Sequence, residues 1–399
     1  MTSCVKSRKF LVAAFLLAMT FCNLTLLFRV LPALRNGYQD FTIYYTGARL
    51  LRNGQASALY NLGTQYRTQL TFTHVPIRQG PLPYNHPPFE TILFVPFTLL
   101  KYWPAYLVWT ALNLIMLAAS VVLLRRQFPQ LAAVPPIVLG LGATAFFPVA
   151  IGLIQGQDVI LLLFLFVLAI ICLERGNDAV AGALLAAGLF RPHLVVPLVV
   201  LLAIRRWRIL LGFVPVALLL VGISVAIMGW SVPFDYVRFV LRVERTGAGG
   251  FGPHAVPNLR GLIADLPGLS FSGPVTAVLV LASSVVVFFL ALRRIRNGRD
   301  SILFASGLAA VTTILVSFHA LSYDLTLLLP TALCLLSRLA GVEGKKIDAR
   351  TILLVVLLFL TPLYIFLLLA VDRFFWFSLI LLWLYLRLML TPAPAEVPA

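Results

Sequence analysis

Apolar residues run in long blocks along this chain, and polar residues gather in short clusters between them. A helix crossing a hydrocarbon core of about 30 Å needs roughly 20 apolar residues. On that measure, candidate spans fall at 10–32, 104–124, 133–150, 157–173, 209–229, 273–292, 301–318, 321–338, 352–370 and 374–390. The stretch 179–204 is interrupted at Phe190-Arg191-Pro192-His193 and reads as two short crossings, which brings the expected total to twelve. The apolar piece 88–100 is about half a span and reads as re-entrant or interfacial. The pattern predicts an all-α, polytopic membrane protein with a single domain over 1–391 and a disordered Pro/Ala tail at 392–399.

Composition excludes the soluble alternative. The 399 residues are 61% hydrophobic and 11% charged, whereas soluble domains average about 45–50% and about 25%. The formal charge is +17, which on a soluble domain would suggest nucleic acid. Here the basic residues sit between apolar runs, the arrangement that holds cytoplasmic loops against an anionic leaflet. With the N-terminus inside, the N-terminal basic residues, Arg125-Arg126, Arg175, Arg205-Arg206-Trp207-Arg208, Arg293 to Arg299, Arg338 to Arg350 and Arg387 all face the cytoplasm. Both termini are therefore expected inside, in a bacterial inner membrane, with no nucleic-acid partner. The first apolar run is longer than a signal-peptide core and no A-x-A site follows it, so an uncleaved first helix is expected. Cys4, Cys22, Cys172 and Cys334 are scattered without C-x-x-C spacing, which suggests neither a disulfide framework nor a metal site.

This topology leaves two long loops outside, 33–87 and 230–270, together with short turns, and most of the polar residues that are costly near lipid lie there. The run from Phe41 to Leu51 has the pattern of an amphipathic interfacial helix. Asp40, just before it, suits a helix cap. It equally suits a general base held in a partly dry site, where burial raises a carboxylate's pKa. Asn85 and His86, followed by two prolines, point at the interface or form a simple turn. Gln155-Gly156-Gln157-Asp158 sets two amides and an acid at the mouth of apolar helices, a donor and acceptor array suited to sugar hydroxyls. Arg191 and His193 interrupt an apolar hairpin, and the guanidinium fork matches a phosphate, with snorkelling to headgroups as the bland alternative. His319 and Tyr323 stand at i, i+4, with Asp324 beside them. Arg238, Arg242 and Arg245 mark one helical face that binds a donor phosphate or simply meets headgroups. Tyr44 stacks on a sugar or belongs to an interfacial aromatic belt. No Walker loop, zinc motif, nucleophile elbow or dinucleotide fingerprint is present, so a lipid-borne substrate fits better than a soluble nucleotide sugar.

The chain resembles glycosyltransferase family 87, also called DUF2029. The residues that carry the resemblance are Asp40-Phe-Thr-Ile-Tyr-Tyr-Thr-Gly-Ala, Gly54 to Tyr60, Asn85-His86-Pro87-Pro88-Phe89, Ala105 to Trp109, Gly156-Gln157-Asp158, Ala181-Gly182 through Arg191-Pro192, and His319 to Asp324. The resemblance implies a GT-C type fold and a polyprenyl-phosphate sugar donor used on the non-cytoplasmic face. It also implies inverting transfer, with Asp40 deprotonating the acceptor hydroxyl and His319 as a second polar contributor near the donor. The family usually carries Lys before the hairpin proline where this chain has Arg191. On this reading Arg191, His193, Arg238 and Arg242 hold the donor phosphate. Tyr44, Asn85, His86, Gln155, Gln157, Tyr323 and Asp324 hold sugar or acceptor. The expected reaction is hexose transfer, mannose foremost, to a lipid or glycan acceptor. No cofactor and no metal are expected, because acidic residues that could hold a metal are sparse. The alternatives are a lipid or glycan transporter, which would show repeated halves that this sequence lacks, and a non-catalytic scaffold.

Overall fold

The computed structural model describes residues 2–73, 81–246, 252–265, 272–298, 300–340 and 348–391. The expected tail 392–399 and parts of the 230–270 loop lie outside the described residues. Every regular element is helical, and no strand occurs among the described residues. Lipid offers no partner to a backbone N–H or C=O, so a helix, which satisfies both internally, is the natural element for such apolar runs.

Among the described residues, four helices are long and apolar enough to cross a membrane: Arg8–Arg35, Tyr102–Gln127, Ile209–Met228 and Gly273–Asn297. The count is six if each of two bent pairs forms one span: Pro136–Ala145 with Phe147–Gln155 at 61°, and Ala349–Phe359 with Thr361–Ala370 at 56°. The other apolar helices have 10–17 residues, fewer full-length spans than the twelve the apolar blocks suggest. The two classes differ in placement. In Gly273–Asn297 only Ala291 and Ile295 are buried, so the helix offers its apolar surface outward. In Ile302–Val316 nearly every residue is buried. Gly273–Asn297 thus lies at the periphery, and Ile302–Val316 lies in the interior.

The span expected at 133–150 is broken at Phe146, with Pro148 in the first turn of the second helix, where its missing N–H has no bond to lose. The interruption expected in 179–204 is present: Asp178–Ala187 and Pro192–Ala203 flank it with 10 and 12 residues. At 1.5 Å per residue these arms reach only about 15 and 18 Å, half of a bilayer core. A hairpin that enters and returns leaves the parity of the topology as two crossings would. Its first arm packs on Ile209–Met228 through Gly182 and Gly212, where an added Cβ would lie 1.8 and 1.7 Å from a backbone oxygen of the opposing helix.

The described part of the first long loop is folded. Phe41–Arg52 is helical as the pattern predicts, but it is mostly buried and does not lie open on an interface. Glu90–Leu99 lies over it as a short apolar helix. Tyr44 stacks on Phe94 with ring centroids 4.6 Å apart, and Phe41 sits 5.8 Å from both Tyr102 and Tyr106. This aromatic cluster fixes the helix that begins immediately after Asp40.

Candidate active site

Asp40 occupies the N-cap position of Phe41–Arg52, yet its side chain makes no cap hydrogen bond. Its Oδ2 instead accepts from Nε2 of Gln157 at 2.6 Å, and its backbone N–H donates to Oε1 of Gln155 at 3.1 Å. Of the two roles open for Asp40, the capping one is not taken up. Gly156 makes this juxtaposition feasible: its φ is +62°, and a Cβ there would come within 2.8 Å of Cβ of Phe41. The turn before Val159–Glu174 therefore passes directly against the start of the Asp40 helix.

Gln157 links Asp40 to a buried polar hub. Its Oε1 accepts from the Tyr44 hydroxyl at 2.6 Å and from the Arg191 guanidinium. Arg191, 3% exposed, donates through Nε to Asp158 at 2.6 Å and through its other nitrogens to Asp324 at 2.7 Å and Tyr44 at 3.3 Å. It also lies over the Tyr323 ring, 5.1 Å from the centroid. One cation thus joins three chain breaks: the turn before Val159–Glu174, the hairpin tip, and the turn that opens at Asp324. Oδ2 of Asp324 accepts the Leu321 N–H at 2.7 Å, which locks that last turn.

His86 is neighbour to the same hub. Its Nδ1 lies 3.1 Å from Glu90 and 3.8 Å from Asp158. Burial holds the imidazole down at about 4, against the pull of the surrounding carboxylates. His86, Glu90 and Asp158 bring one ligand atom each within 4.8 Å of one another, and this is the group that could hold a metal ion among the described residues.

Above the hub lies a cavity of about 210 Å³ whose walls include Asp40, Gln157, Arg191, His193, Tyr236 and His319. His193 and His319 face each other with rings 6.3 Å apart, and Nε2 of His193 is buried without a hydrogen-bond partner among the described residues. Nδ1 of His319 lies 2.7 Å from Glu244, which also receives Arg260 at 3.1 Å. Burial would raise the Glu244 carboxyl, but His319 and Arg260 outweigh it and hold the group below its ordinary value.

The fold therefore brings together Asp40, Tyr44, His86, Gln155, Gln157, Arg191, His193, His319, Tyr323 and Asp324, drawn from loops far apart in sequence. Asn85 also lines the cavity. Residues 317–323 are not helical, so His319 and Tyr323 meet the cavity through a turn and not along one helix face. Arg238 and Arg242 are elsewhere: both are exposed on Val232–Thr246, whose opposite face supplies Tyr236, Val240, Val243 and Glu244 to the cavity. Sequence reasoning missed Glu244, the lone acid on the inward face of a helix noticed for its arginines. It also missed Asp158 and Glu90 as charge partners. The signal for Asp158 was present in an acid placed directly before an apolar helix.

Residues 84–317 match the family model of glycosyltransferase family 87. The chain belongs to glycosyltransferase family 87. No curated protein and no solved structure matches it. The matched region of this family 87 glycosyltransferase holds Gln157, Asp158, Arg191, His193 and Glu244. Asp40, Tyr44, His319, Tyr323 and Asp324 lie outside it, but each touches a residue within it. One polar network therefore spans the matched and unmatched parts.

Proposed function

We propose that this glycosyltransferase transfers a hexose, mannose foremost, from a polyprenyl-phosphate sugar to a hydroxyl of a lipid or glycan acceptor, with inversion. Asp40 takes the acceptor proton as the acceptor oxygen bonds to the anomeric carbon. The bond from that carbon to the phosphate oxygen breaks, and polyprenyl phosphate leaves. The observation that carries this reading is the Asp40 carboxylate itself, which sits at a cap position without capping and is held by Gln157 at 2.6 Å on the cavity wall.

The network refines the expected roles. Arg191 already serves Asp158 and Asp324, so its part is to brace Gln157 and through it Asp40. The leaving phosphate falls to His193, whose buried Nε2 lacks a partner among the described residues, and to His319 across the cavity, stabilising charge where it develops. Tyr323, Asn85 and His86 orient sugar hydroxyls, and Gln155 and Asp324 shape the turns. Arg238 and Arg242 meet lipid headgroups on the outer side of their helix. A cavity of about 210 Å³ is smaller than the roughly 300–1,000 Å³ of sites for drug-sized ligands, which favours a single sugar on a lipid carrier over a nucleotide sugar. No cofactor enters the scheme. Asp158 and Asp324 share Arg191 as their counter-charge. On this reading both termini lie in the cytoplasm of a bacterial cell, with about twelve membrane passes counting the half-length helices, a GT-C type arrangement, and Asp40 on the non-cytoplasmic side.

The test is direct. Purified full chain in lipid nanodiscs is given radiolabelled polyprenyl-phosphate mannose or a nucleotide-linked mannose, with a lipid extract as acceptor. Label should pass to acceptor from the polyprenyl donor alone. Transfer from the nucleotide sugar, or no turnover of any polyprenyl-phosphate hexose, overturns the proposal.

A further inference from the structure

On the other side of the Asp40 helix lies a second cavity, of about 660 Å³, bordered by Arg35, Arg49, Arg52 and Lys101. Among the described residues its walls carry no aspartate or glutamate. The arginines are arranged around aromatic rings: Arg35 lies over Trp103 at 5.8 Å, and Arg49 lies over Phe72 at 5.8 Å. Arg52 donates to the carbonyl of Thr98 at 2.6 Å. Among the described residues no acid on these walls offsets the four cations, of which Arg35, Arg52 and Lys101 are exposed, and an anion seated between them is attracted by each. Guanidinium forks match phosphate oxygens in particular.

The location indicates where that phosphate comes from. Arg35 ends the first long apolar helix, and Trp103 lies in the first turn of the next, Tyr102–Gln127. The cavity therefore sits where two spanning helices leave the apolar zone. Leu99 and Leu100, 73% and 41% exposed, stand on its rim as apolar surface beside the charges. Charge above and exposed leucine beside it match a headgroup and its acyl chain. On the orientation proposed above, these cations also lie on the face where positive charge is normally scarce, so topology alone does not account for them.

We infer that this cavity seats the phosphate of an anionic phospholipid, with the acyl chains descending past Leu99 and Leu100. The binding test needs no sugar donor, so it stands or falls separately from the transferase reading. Full chain is reconstituted in nanodiscs holding phosphatidylglycerol and phosphatidylcholine in equal amounts, and retained lipid is counted by native mass spectrometry. Wild type should retain one phosphatidylglycerol in preference to phosphatidylcholine. Removing two headgroup-facing arginines, as in Arg49→Gln/Arg52→Gln, should weaken that retention about 30-fold. Arg126→Gln, at the far end of Tyr102–Gln127, should leave it unchanged. If the double variant is not monodisperse, Arg35→Gln is measured instead and should weaken retention about fivefold. Equal retention of both lipids, or wild-type retention by the folded variants, overturns the inference. So does displacement of phosphatidylglycerol by millimolar inorganic phosphate, which would mark a site for a soluble anion.

Discussion

Arg191 offers the sharpest test of how this site is built. Arg191→Met keeps a side chain of similar length and removes the cation. Asp158 and Asp324, 0% and 1% exposed, would then lose the group that meets them at 2.6 and 2.7 Å. Removing one partner of a buried pair costs roughly 3–5 kcal/mol, because the abandoned charge stays out of water. This substitution abandons two carboxylates, although Asp324 keeps the Leu321 N–H. The expected loss is therefore at the top of that range, about 5 kcal/mol, comparable to the entire stability of many proteins. The compensated variant Arg191→Met/Asp158→Asn/Asp324→Asn carries no orphaned charge. It should recover most of the loss, since buried ion clusters replaced by neutral groups are often near neutral in stability. Arg191→Lys should fall between, because one ammonium cannot reach both acids in the guanidinium's geometry. Thermal midpoints of the monodisperse fraction in detergent give the ranking. Transfer assays on the compensated variant give the second readout: activity should stay low, because Gln157 keeps only Tyr44 of the two donors that fix its Oε1 and holds Asp40 less firmly. A stable Arg191→Met, or a compensated variant no better than the single one, would refute the hub. Full transfer by the compensated variant would refute the brace.

Other consequences are simpler. Asp40→Asn should lower transfer by about 10²–10⁴-fold with little change in thermal midpoint, because no cap bond is lost and the asparagine Oδ1 can still accept the Gln157 N–H. Gly156→Ala should destabilise by about 1–3 kcal/mol, read as a lower midpoint, since the left-handed φ of +62° and the contact with Phe41 both exclude a Cβ. Acid should weaken the fold through His86: its folded value of about 4 lies below the ordinary 6.5, so the unfolded chain binds the proton more readily and stability falls as pH drops from about 6.5 toward 4. In midpoints measured across that window, His86→Gln should flatten the decline.

Much of this protein was open to reading from its residues alone. Its place in a membrane, the all-helical class and the break at Phe190 to His193 follow from hydrophobicity and proline, which act locally and add along the chain. The polar candidates were also visible, since a polar group next to lipid is costly enough to stand out. What they touch was not. Arg191 pairs with acids 33 and 133 residues away, and Asp40 meets a glutamine 117 residues on. The inward face of Val232–Thr246 turned out to be the one with Glu244 and not the one with the arginines. Such choices depend on how helices of unequal length pack, where glycines let backbones meet, and which charge ends beside which. Those are pairings across space, and one-dimensional periodicity carries no record of them. The chain's own pattern established which groups had to be sheltered, and only the folded arrangement decided that they shelter one another.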